Sequence, residues 1–260
     1  VQADGVVERI AHRSEMGTGI RTSLPQIVAD EMEADWSRVK VIQGLANADY
    51  GSQNTDGSRS VRDFYQIMRQ MGAAARASLE LAAASRWSAN IGDVAASNHQ
   101  VIHRDGRRLG FGELAADAAK LPLPDLAQLP LKEPKDFRYI GKDIPIVDLQ
   151  DMCTGNTLFG TDVRIPGMLF ASIERTPVLQ GKVLSFDRDA TLKAPGVVDV
   201  IRIKGQPLPS GFNALEGVAV LASDSYSAIT GRSKLNISWD RGVHATHNSG
   251  AYLDDLAAKV

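Results

Sequence analysis

Prolines cluster in the middle of the sequence and divide it into two parts with different patterns. Five of the eleven prolines lie between residues 121 and 146. Because proline fixes φ and lacks a backbone donor, neither a regular helix nor a central strand can continue through such a stretch. We therefore predict two folded parts joined by an extended connector. The predicted boundaries are a first domain over 1–120, the connector over 121–148, a second domain over 149–245 and the start of a further segment over 246–260.

The part before the connector is predicted to be rich in helix. Residues 59–86 carry apolar side chains at helical spacing, and the second half of this run is rich in alanine, which suits close packing against a sheet. Asp105 and Gly106 form a tight-turn dipeptide between two apolar runs, which predicts a hairpin over 101–109. The other predicted elements are a helix that starts near Ser23 with Pro25 in its first turn, a strand at 39–42 and a short helix at 112–120.

The part after the connector alternates between strand and helix patterns. Strands are predicted at 168–174, 197–203, 217–221 and 235–239, and helices are predicted at 187–193 and 225–232. Two β-α-β halves in so short a stretch indicate a small sheet with helices on one face. Together, the two parts of the chain predict an α+β fold.

Charge and cysteine content exclude several classes of protein. The 29 basic and 31 acidic side chains give a formal net charge of −2, which argues against a protein that binds nucleic acid through many phosphate contacts. The single cysteine, Cys153, excludes an internal disulfide and a cysteine-ligated iron–sulfur cluster in this chain. We expect Cys153 to be a small buried residue. No run approaches the roughly 18 apolar residues of a membrane span, so no direct span is predicted.

Two pairs of histidines have spacings that metal ligands use. They are His99 with His103 and His244 with His247, and no carboxylate or cysteine completes either set. We therefore predict that these histidines are solvated surface residues and that the chain contributes no metal ligand.

Two glycine-centred loops each precede a predicted helix. In residues 14–22, Gly17 and Gly19 allow close approach of a backbone, and free N–H groups at a helix start suit an anionic oxygen. Residues 55–60 combine three hydroxyls, one glycine and Arg59 at the start of the long helix, a set that suits a phosphate or another oxyanion. The alternatives are an ordinary tight turn for the first loop and plain N-capping by a hydroxyl for the second.

Several segments of the chain resemble a known family. Two of them are Ser14-Glu-Met-Gly-Thr-Gly-Ile-Arg-Thr22 and Tyr50-Gly-Ser-Gln-Asn-Thr-Asp-Gly-Ser-Arg-Ser-Val61, and the others are 131–141, 154–169, 194–198 and 217–222. They resemble the large, molybdopterin-binding subunit of the xanthine oxidase family of molybdenum hydroxylases, in its branch of isoquinoline 1-oxidoreductase beta subunits and membrane-associated aldehyde dehydrogenases. The implied fold is part of a molybdopterin-binding α/β domain followed by a small α/β hammerhead domain of the aldehyde oxidase/xanthine dehydrogenase type. The chain is then a fragment of a longer subunit.

The resemblance also implies which residues bind the cofactor. Gly17, Thr18 and Gly19 match the family's first cofactor loop, and Gly57, Ser58, Arg59 and Ser60 match the second. The family often has glutamine where this chain has Thr18, whose hydroxyl has a shorter reach. The family's catalytic glutamate lies in a later segment, so no catalytic residue is predicted in this chain.

The activity that the resemblance implies is oxidation of an aldehyde or an N-heterocycle with oxygen derived from water. It implies a molybdenum–molybdopterin cofactor in the full-length parent, usually in the cytosine dinucleotide form, whereas the isolated chain is expected to bind none and to be inactive. The implied partners are a [2Fe–2S] small subunit and a c-type cytochrome subunit. The implied location is the periplasm, with the cytoplasm as the alternative. The competing hypothesis is a non-catalytic structural or assembly domain that binds no cofactor.

Overall fold

The computed structural model describes residues 1–260, and the contacts among them divide the chain into two units, Val1–Thr157 and Leu158–Val260. The first unit contains two small sheets, since β1 pairs in parallel with β2 and the strands β3, β4 and β5 are antiparallel. Its elements are β1 (Val7–Ala11), α1 (Ile20–Glu31), β2 (Val39–Gln43), α2 (Arg59–Trp87), β3 (Val94–Ser97), β4 (Gln100–His103), β5 (Arg108–Gly110), α3 (Phe111–Ala118) and α4 (Leu149–Thr154).

The long helix α2 organises the first unit. It packs against α1 at Gly72, where a β carbon would lie 2.5 Å from the carbonyl oxygen of Val28. Further along α2, small and apolar side chains such as Leu79 and Ala83 lie in the main core with Phe111 and Val101. The predicted helix at 59–86 and its close packing are confirmed, as are the hairpin, the strand at 39–42 and the helix at 112–120, with small shifts of their ends.

The helix α1 begins earlier than the sequence predicted. It starts at Ile20 instead of near Ser23, so Pro25 lies in the interior of the helix instead of its first turn. The cause is local, because the carboxylate of Glu15 accepts the backbone N–H of Arg21 at 2.9 Å. This bond satisfies a first-turn donor that would otherwise have no partner within the helix.

The proline-rich residues 121–148 lie against α1 and α2 and belong to the first unit. The fully buried carboxylate of Asp30 accepts three successive backbone N–H groups at 138–140 and lies 2.7 Å from the ammonium group of Lys132. The adjacent buried carboxylate of Glu31 also accepts the backbone N–H of Lys132, at 3.1 Å. These ionic and backbone bonds hold the segment on the helices.

The boundary between the units therefore follows Thr157, later than the predicted end of the connector at 148, and the first unit does not end at 120. The prolines do keep much of this segment out of regular structure, as predicted. The carboxylates that hold it lie about a hundred residues earlier, in α1, and only the folded chain brings them to it. The unpredicted helix α4 completes the unit.

The second unit has two antiparallel sheets, one with the strand order β6-β9-β8 and one formed by β10 and β7. Its apolar core includes Val183, Val200, Val218, Val220 and Leu235. Its elements are β6 (Phe170–Arg175), β7 (Lys182–Ser185), α5 (Arg188–Leu192), β8 (Val197–Ile203), β9 (Gly217–Ala222), α6 (Ser225–Arg232), β10 (Ser238–Asp240) and α7 (Ser249–Ala258).

The two predicted helices and the predicted strands of the second unit are present, with shifts of their ends, but their arrangement differs from the prediction. The expected β-α-β halves would bring parallel strands together, whereas all strand pairs in this unit are antiparallel. The last strand, β10, pairs with β7. The sequence pattern did not predict the strand β7. The fold as a whole mixes helices and sheets, which agrees with the predicted α+β class at that level.

The histidine pair His99 and His103 and the single cysteine differ from their predicted environments. Both histidines are buried, with 4% and 8% of their surface exposed. His99 donates from Nε2 to the Gly5 carbonyl at 2.8 Å and accepts the Asp35 backbone N–H at Nδ1, so it is a core residue satisfied by hydrogen bonds. Cys153, expected to be buried, is exposed on the short helix α4.

The fold contains neither a cluster of metal-ligating side chains nor a helix suited to cross a membrane. No three His, Cys, Asp or Glu side chains come close enough to hold a metal ion. No helix combines the length and the apolar character that crossing a membrane requires.

Candidate functional site

The two glycine-centred loops meet in one cavity at the N-terminal ends of α1 and α2. The cavity has a volume of about 330 Å³. The Thr55 hydroxyl donates to the Ser14 carbonyl at 2.5 Å, and the Ser14 N–H donates to the Gln53 carbonyl at 3.0 Å, so hydrogen bonds join the loops directly. The cavity is lined by Thr18, Ile20, Ser23, Thr55, Asp56, Gly57, Ser58, Ser60 and Val61.

The backbone N–H groups of the first loop already bind an anion, the carboxylate of Glu15. Its Oε1 accepts four N–H groups at 16–19 over 2.7–3.1 Å, and its Oε2 accepts the N–H of Arg21. The positive φ angles of Gly17 and Gly19, 88° and 77°, let the backbone wrap around this carboxylate. The first loop therefore presents the Thr18 side chain to the cavity, while its N–H groups are used within the loop.

The environment of Glu15 favours its charged form. Burial alone raises the pKa of this carboxyl group, but the backbone N–H bonds from Arg21, Gly19, Thr18 and Gly17 outweigh burial and hold the pKa below its usual range.

We predict that Glu15→Gln lowers the thermal stability of the first unit at neutral pH. Loss of the charge weakens hydrogen bonds that a carboxylate accepts, at a cost of about 1–2 kcal/mol. A depressed folded-state pKa contributes stability above the unfolded pKa of about 4.3, and that contribution is lost as pH falls through the folded pKa. Thermal melts at several pH values should show the gap between wild type and variant closing in acid. A difference in melting temperature that stays constant with pH would contradict the assignment of Glu15 as a charged carboxylate with a lowered pKa.

The second loop begins α2 without the side-chain cap that its hydroxyls could have supplied. Ser58 precedes the helix in a left-handed conformation, with φ 55°, and makes no capping hydrogen bond. The Thr55 hydroxyl is directed to Ser14 in the first loop. The plain N-capping alternative is therefore wrong, and the first turn of α2 borders the cavity with the positive end of the helix dipole.

The structure brings four of the seven predicted cofactor residues to the cavity wall, namely Thr18, Gly57, Ser58 and Ser60. The other three are adjacent in the chain but are absent from the wall. Gly17 and Gly19 shape the loop around Glu15. The guanidinium of Arg59 is half-exposed and lies 3.4 Å from the Asp56 carboxylate.

Arg13 is a component of the site that the sequence analysis missed. It is 2% exposed, although no acidic side chain lies within ion-pair distance of its guanidinium. Its Nε donates to the Ser60 hydroxyl at 3.2 Å, and one terminal nitrogen donates to the Ser52 carbonyl at 2.6 Å and hydroxyl at 2.9 Å. The guanidinium also lies 5.1 Å from the ring centre of Phe64. A single arginine two residues after the end of β1 forms no sequence pattern that would have identified it.

Comparisons with known proteins point to the same part of the chain. The family model for the molybdopterin cofactor-binding domain matches residues 1–145, which include both loops and most of the proline-rich segment. The chain is 29% identical over 297 residues to the isoquinoline 1-oxidoreductase beta subunit of Brevundimonas diminuta, covering 99% of this chain and 37% of that protein.

Two further relatives have similar levels of identity. A membrane-bound aldehyde dehydrogenase (pyrroloquinoline-quinone) of Gluconacetobacter polyoxogenes is 30% identical over 267 residues, covering all of this chain and 34% of that protein. The B subunit of nicotinate dehydrogenase from Pseudomonas putida strain KT2440 is 29% identical over 248 residues, covering 92% of this chain and 20% of that protein. The chain thus spans between a fifth and about two fifths of the length of these relatives.

Proposed function

Since the chain belongs to the family of molybdopterin cofactor-binding domains, we propose that its cavity holds one end of a molybdenum–molybdopterin cofactor within a longer protein. The observation that carries this proposal is the meeting of the two loops, about forty residues apart in sequence, in one cavity inside the matched region. In this proposal Thr18, Gly57, Ser58 and Ser60 line the binding surface. Gly17 and Gly19 act through the shape of the first loop, and Arg59 lies at the rim.

The chemistry of the cavity wall suits this ligand. Three side-chain hydroxyls, from Thr18, Ser58 and Ser60, can donate to phosphate or pterin oxygens, and the first turn of α2 favours negative charge. A volume of about 330 Å³ lies at the lower end of the roughly 300–1,000 Å³ range of small-molecule sites. It therefore fits one end of a large cofactor, whose remainder would contact segments outside this chain.

The reaction we propose for the longer protein is oxidation of an aldehyde or an N-heterocycle. A C–H bond of the substrate and an O–H bond of water break, a C–O bond forms, and two electrons and two protons are released, one proton from the substrate and one from water. The cofactor supplies this redox chemistry when it is bound, and the electrons pass to an iron–sulfur partner subunit and then to a c-type cytochrome. The names of the relatives support both substrate classes, since they include an aldehyde dehydrogenase and enzymes of isoquinoline and nicotinate.

Finer features implied by the resemblance are also proposals. They are the cytosine dinucleotide form of the cofactor, a periplasmic location, a base contributed from outside this chain, and a hammerhead-type domain in the second unit. The last is supported by the antiparallel sheet β6-β9-β8, with α6 packed on β6 and β9 and α5 packed on β8.

Turnover assays test the proposed function. The longer protein, purified with its partner subunits, should oxidise benzaldehyde, isoquinoline or nicotinate with an artificial electron acceptor, and the 260-residue chain should oxidise none of them. Cofactor analysis of the same sample should find molybdenum and a pterin, and not the pyrroloquinoline quinone in the name of one relative. A molybdenum-free sample, or a loaded sample inactive on both substrate classes, would favour a non-catalytic structural or assembly domain.

A further inference from the structure

We infer that Arg13 is the positioning residue that supplies positive charge to the cofactor site, acting through the Ser60 hydroxyl to hold a phosphate group. The inference rests on the proposed function and deepens it, because it identifies which side of the cavity binds the anionic group. It assigns this role to a buried arginine outside both of the loops that the sequence indicated.

The first observation is that the charge of Arg13 is buried without an acidic partner. Burying a cation costs free energy unless an opposite charge or strong hydrogen bonds compensate it. Arg69 and Lys132 have such partners, since Arg69 contacts Glu31 at 2.6 Å and Lys132 contacts Asp30 at 2.7 Å. The Arg9 guanidinium is also buried without an acidic partner, so what distinguishes Arg13 is its bond to Ser60, which lines the cavity. Arg13 has only neutral partners, which are hydroxyls, a carbonyl and an aromatic ring. An anion in the adjoining cavity would complete its environment.

The second observation is the state of the Ser60 hydroxyl. Ser60 is 8% exposed and lines the cavity, and its oxygen accepts the Nε hydrogen of Arg13 at 3.2 Å. The hydroxyl donates to no protein group, although a serine hydroxyl carries one hydrogen. The bond from Arg13 polarises this hydroxyl, so its free hydrogen is a strengthened donor for a ligand oxygen.

The remaining charges around the cavity are already compensated. The Glu15 carboxylate is surrounded by five backbone N–H groups, and the Asp56 carboxylate lies 3.4 Å from Arg59. Arg13 is not itself part of the cavity wall, so its charge reaches the cavity through Ser60, and it has no counter-charge of its own. A tetrahedral phosphate could accept from Ser60, from the neighbouring hydroxyls of Thr18 and Ser58, and from the start of α2.

Pyrophosphate is the probe for the first test, which uses the 260-residue chain and ³¹P NMR titration. Arg13→Gln removes the charge and should weaken pyrophosphate binding about tenfold or more, the value of a charge-assisted hydrogen bond. Arg13→Lys keeps the charge and should restore much of the affinity. Arg62→Gln is the matched control, because Arg62 is exposed and pairs with Asp63, and it should bind like wild type.

A merely structural role for Arg13 predicts different results. In that case Arg13→Lys and Arg13→Gln would lose equal affinity for pyrophosphate, in proportion to the fall in melting temperature of each variant. The ³¹P chemical shift of bound pyrophosphate would be the same in both variants as in wild type. That outcome overturns the inference, as does wild-type affinity in Arg13→Gln or a loss confined to Arg59→Gln. Ser52→Ala checks stability separately, since it removes a bond to Arg13 and leaves the charge.

Molybdenum content of the longer protein separates this inference from the proposed function. Full molybdenum content in both wild type and Arg13→Gln would overturn the inference and leave the proposed function standing. Charge-dependent pyrophosphate binding by a protein that never contains molybdenum would overturn the proposed function and leave an anion site at Arg13. A wild-type chain that binds no pyrophosphate and a longer protein without molybdenum would overturn both.

Discussion

Replacement of Asp30 by alanine is expected to lower the free energy of unfolding of the first unit by about 3–5 kcal/mol, the cost of breaking a buried ion pair. Asp30 is fully buried, and its carboxylate accepts three backbone N–H groups at 138–140 at 2.8–3.0 Å. It also lies 2.7 Å from the ammonium of Lys132, which is itself 7% exposed. The variant would leave the three N–H groups in the interior without their carboxylate acceptor, and Lys132 with Glu33 as its remaining carboxylate partner. Chemical denaturation followed by circular dichroism measures the difference.

The matched control is Asp117→Ala. Asp117 also pairs with an arginine, Arg86, at 2.6 Å, but both side chains are substantially exposed. Exposed ion pairs contribute under about 1 kcal/mol, so this variant should be close to wild type. Equal destabilisation by the two substitutions would show that the proline-rich segment is held by something other than the buried charges.

Substitution of Gly72 by valine is expected to destabilise the same unit by about 1–3 kcal/mol through overpacking. A β carbon there would lie 2.5 Å from the Val28 carbonyl oxygen and 2.7 Å from the β carbon of Glu31, so α1 and α2 must separate. Both helices begin at the cavity that Thr18 and Ser60 line. The separation should therefore also weaken pyrophosphate binding, as a titration with the variant would measure.

Gly92→Ala provides the control for Gly72→Val. A β carbon at Gly92 would meet no atom within 4 Å, and this glycine does not have a positive φ. The control should keep both stability and binding. A stable Gly72→Val variant with unchanged affinity would mean that the contact between the helices does not determine the shape of the cavity.

Local patterns predicted much of this fold because its main elements are encoded locally. The long helix α2 has sustained helical spacing, and the hairpin of β4 and β5 has a tight-turn dipeptide between apolar runs. The predictions were wrong where contacts between residues distant in sequence determine the structure. The strand β7 is short and is stabilised by pairing with β10, and His99 is buried by partners at Gly5 and Asp35. No local pattern specifies such contacts.

The same distinction applies to the site. Sequence reasoning found both loops, because glycine and hydroxyl residues before a helix form a recognisable pattern. It did not identify Glu15 as the anion inside the first loop, or Arg13 as the cation behind the second. Each is a single charged residue without periodicity, and its role depends on which N–H groups or hydroxyls the folded chain brings to it.

The most direct test of this account is the molybdenum content per protomer of the longer protein, measured by plasma mass spectrometry with and without the hydroxyls of the second loop. Wild type should contain stoichiometric molybdenum with a pterin, and Ser58→Ala combined with Ser60→Ala should lose most of it while remaining folded. The control is Ser233→Ala, which removes an exposed hydroxyl in the second unit and should keep full content. Equal molybdenum in all three proteins, or none in wild type, would contradict the assignment of the cofactor to this cavity.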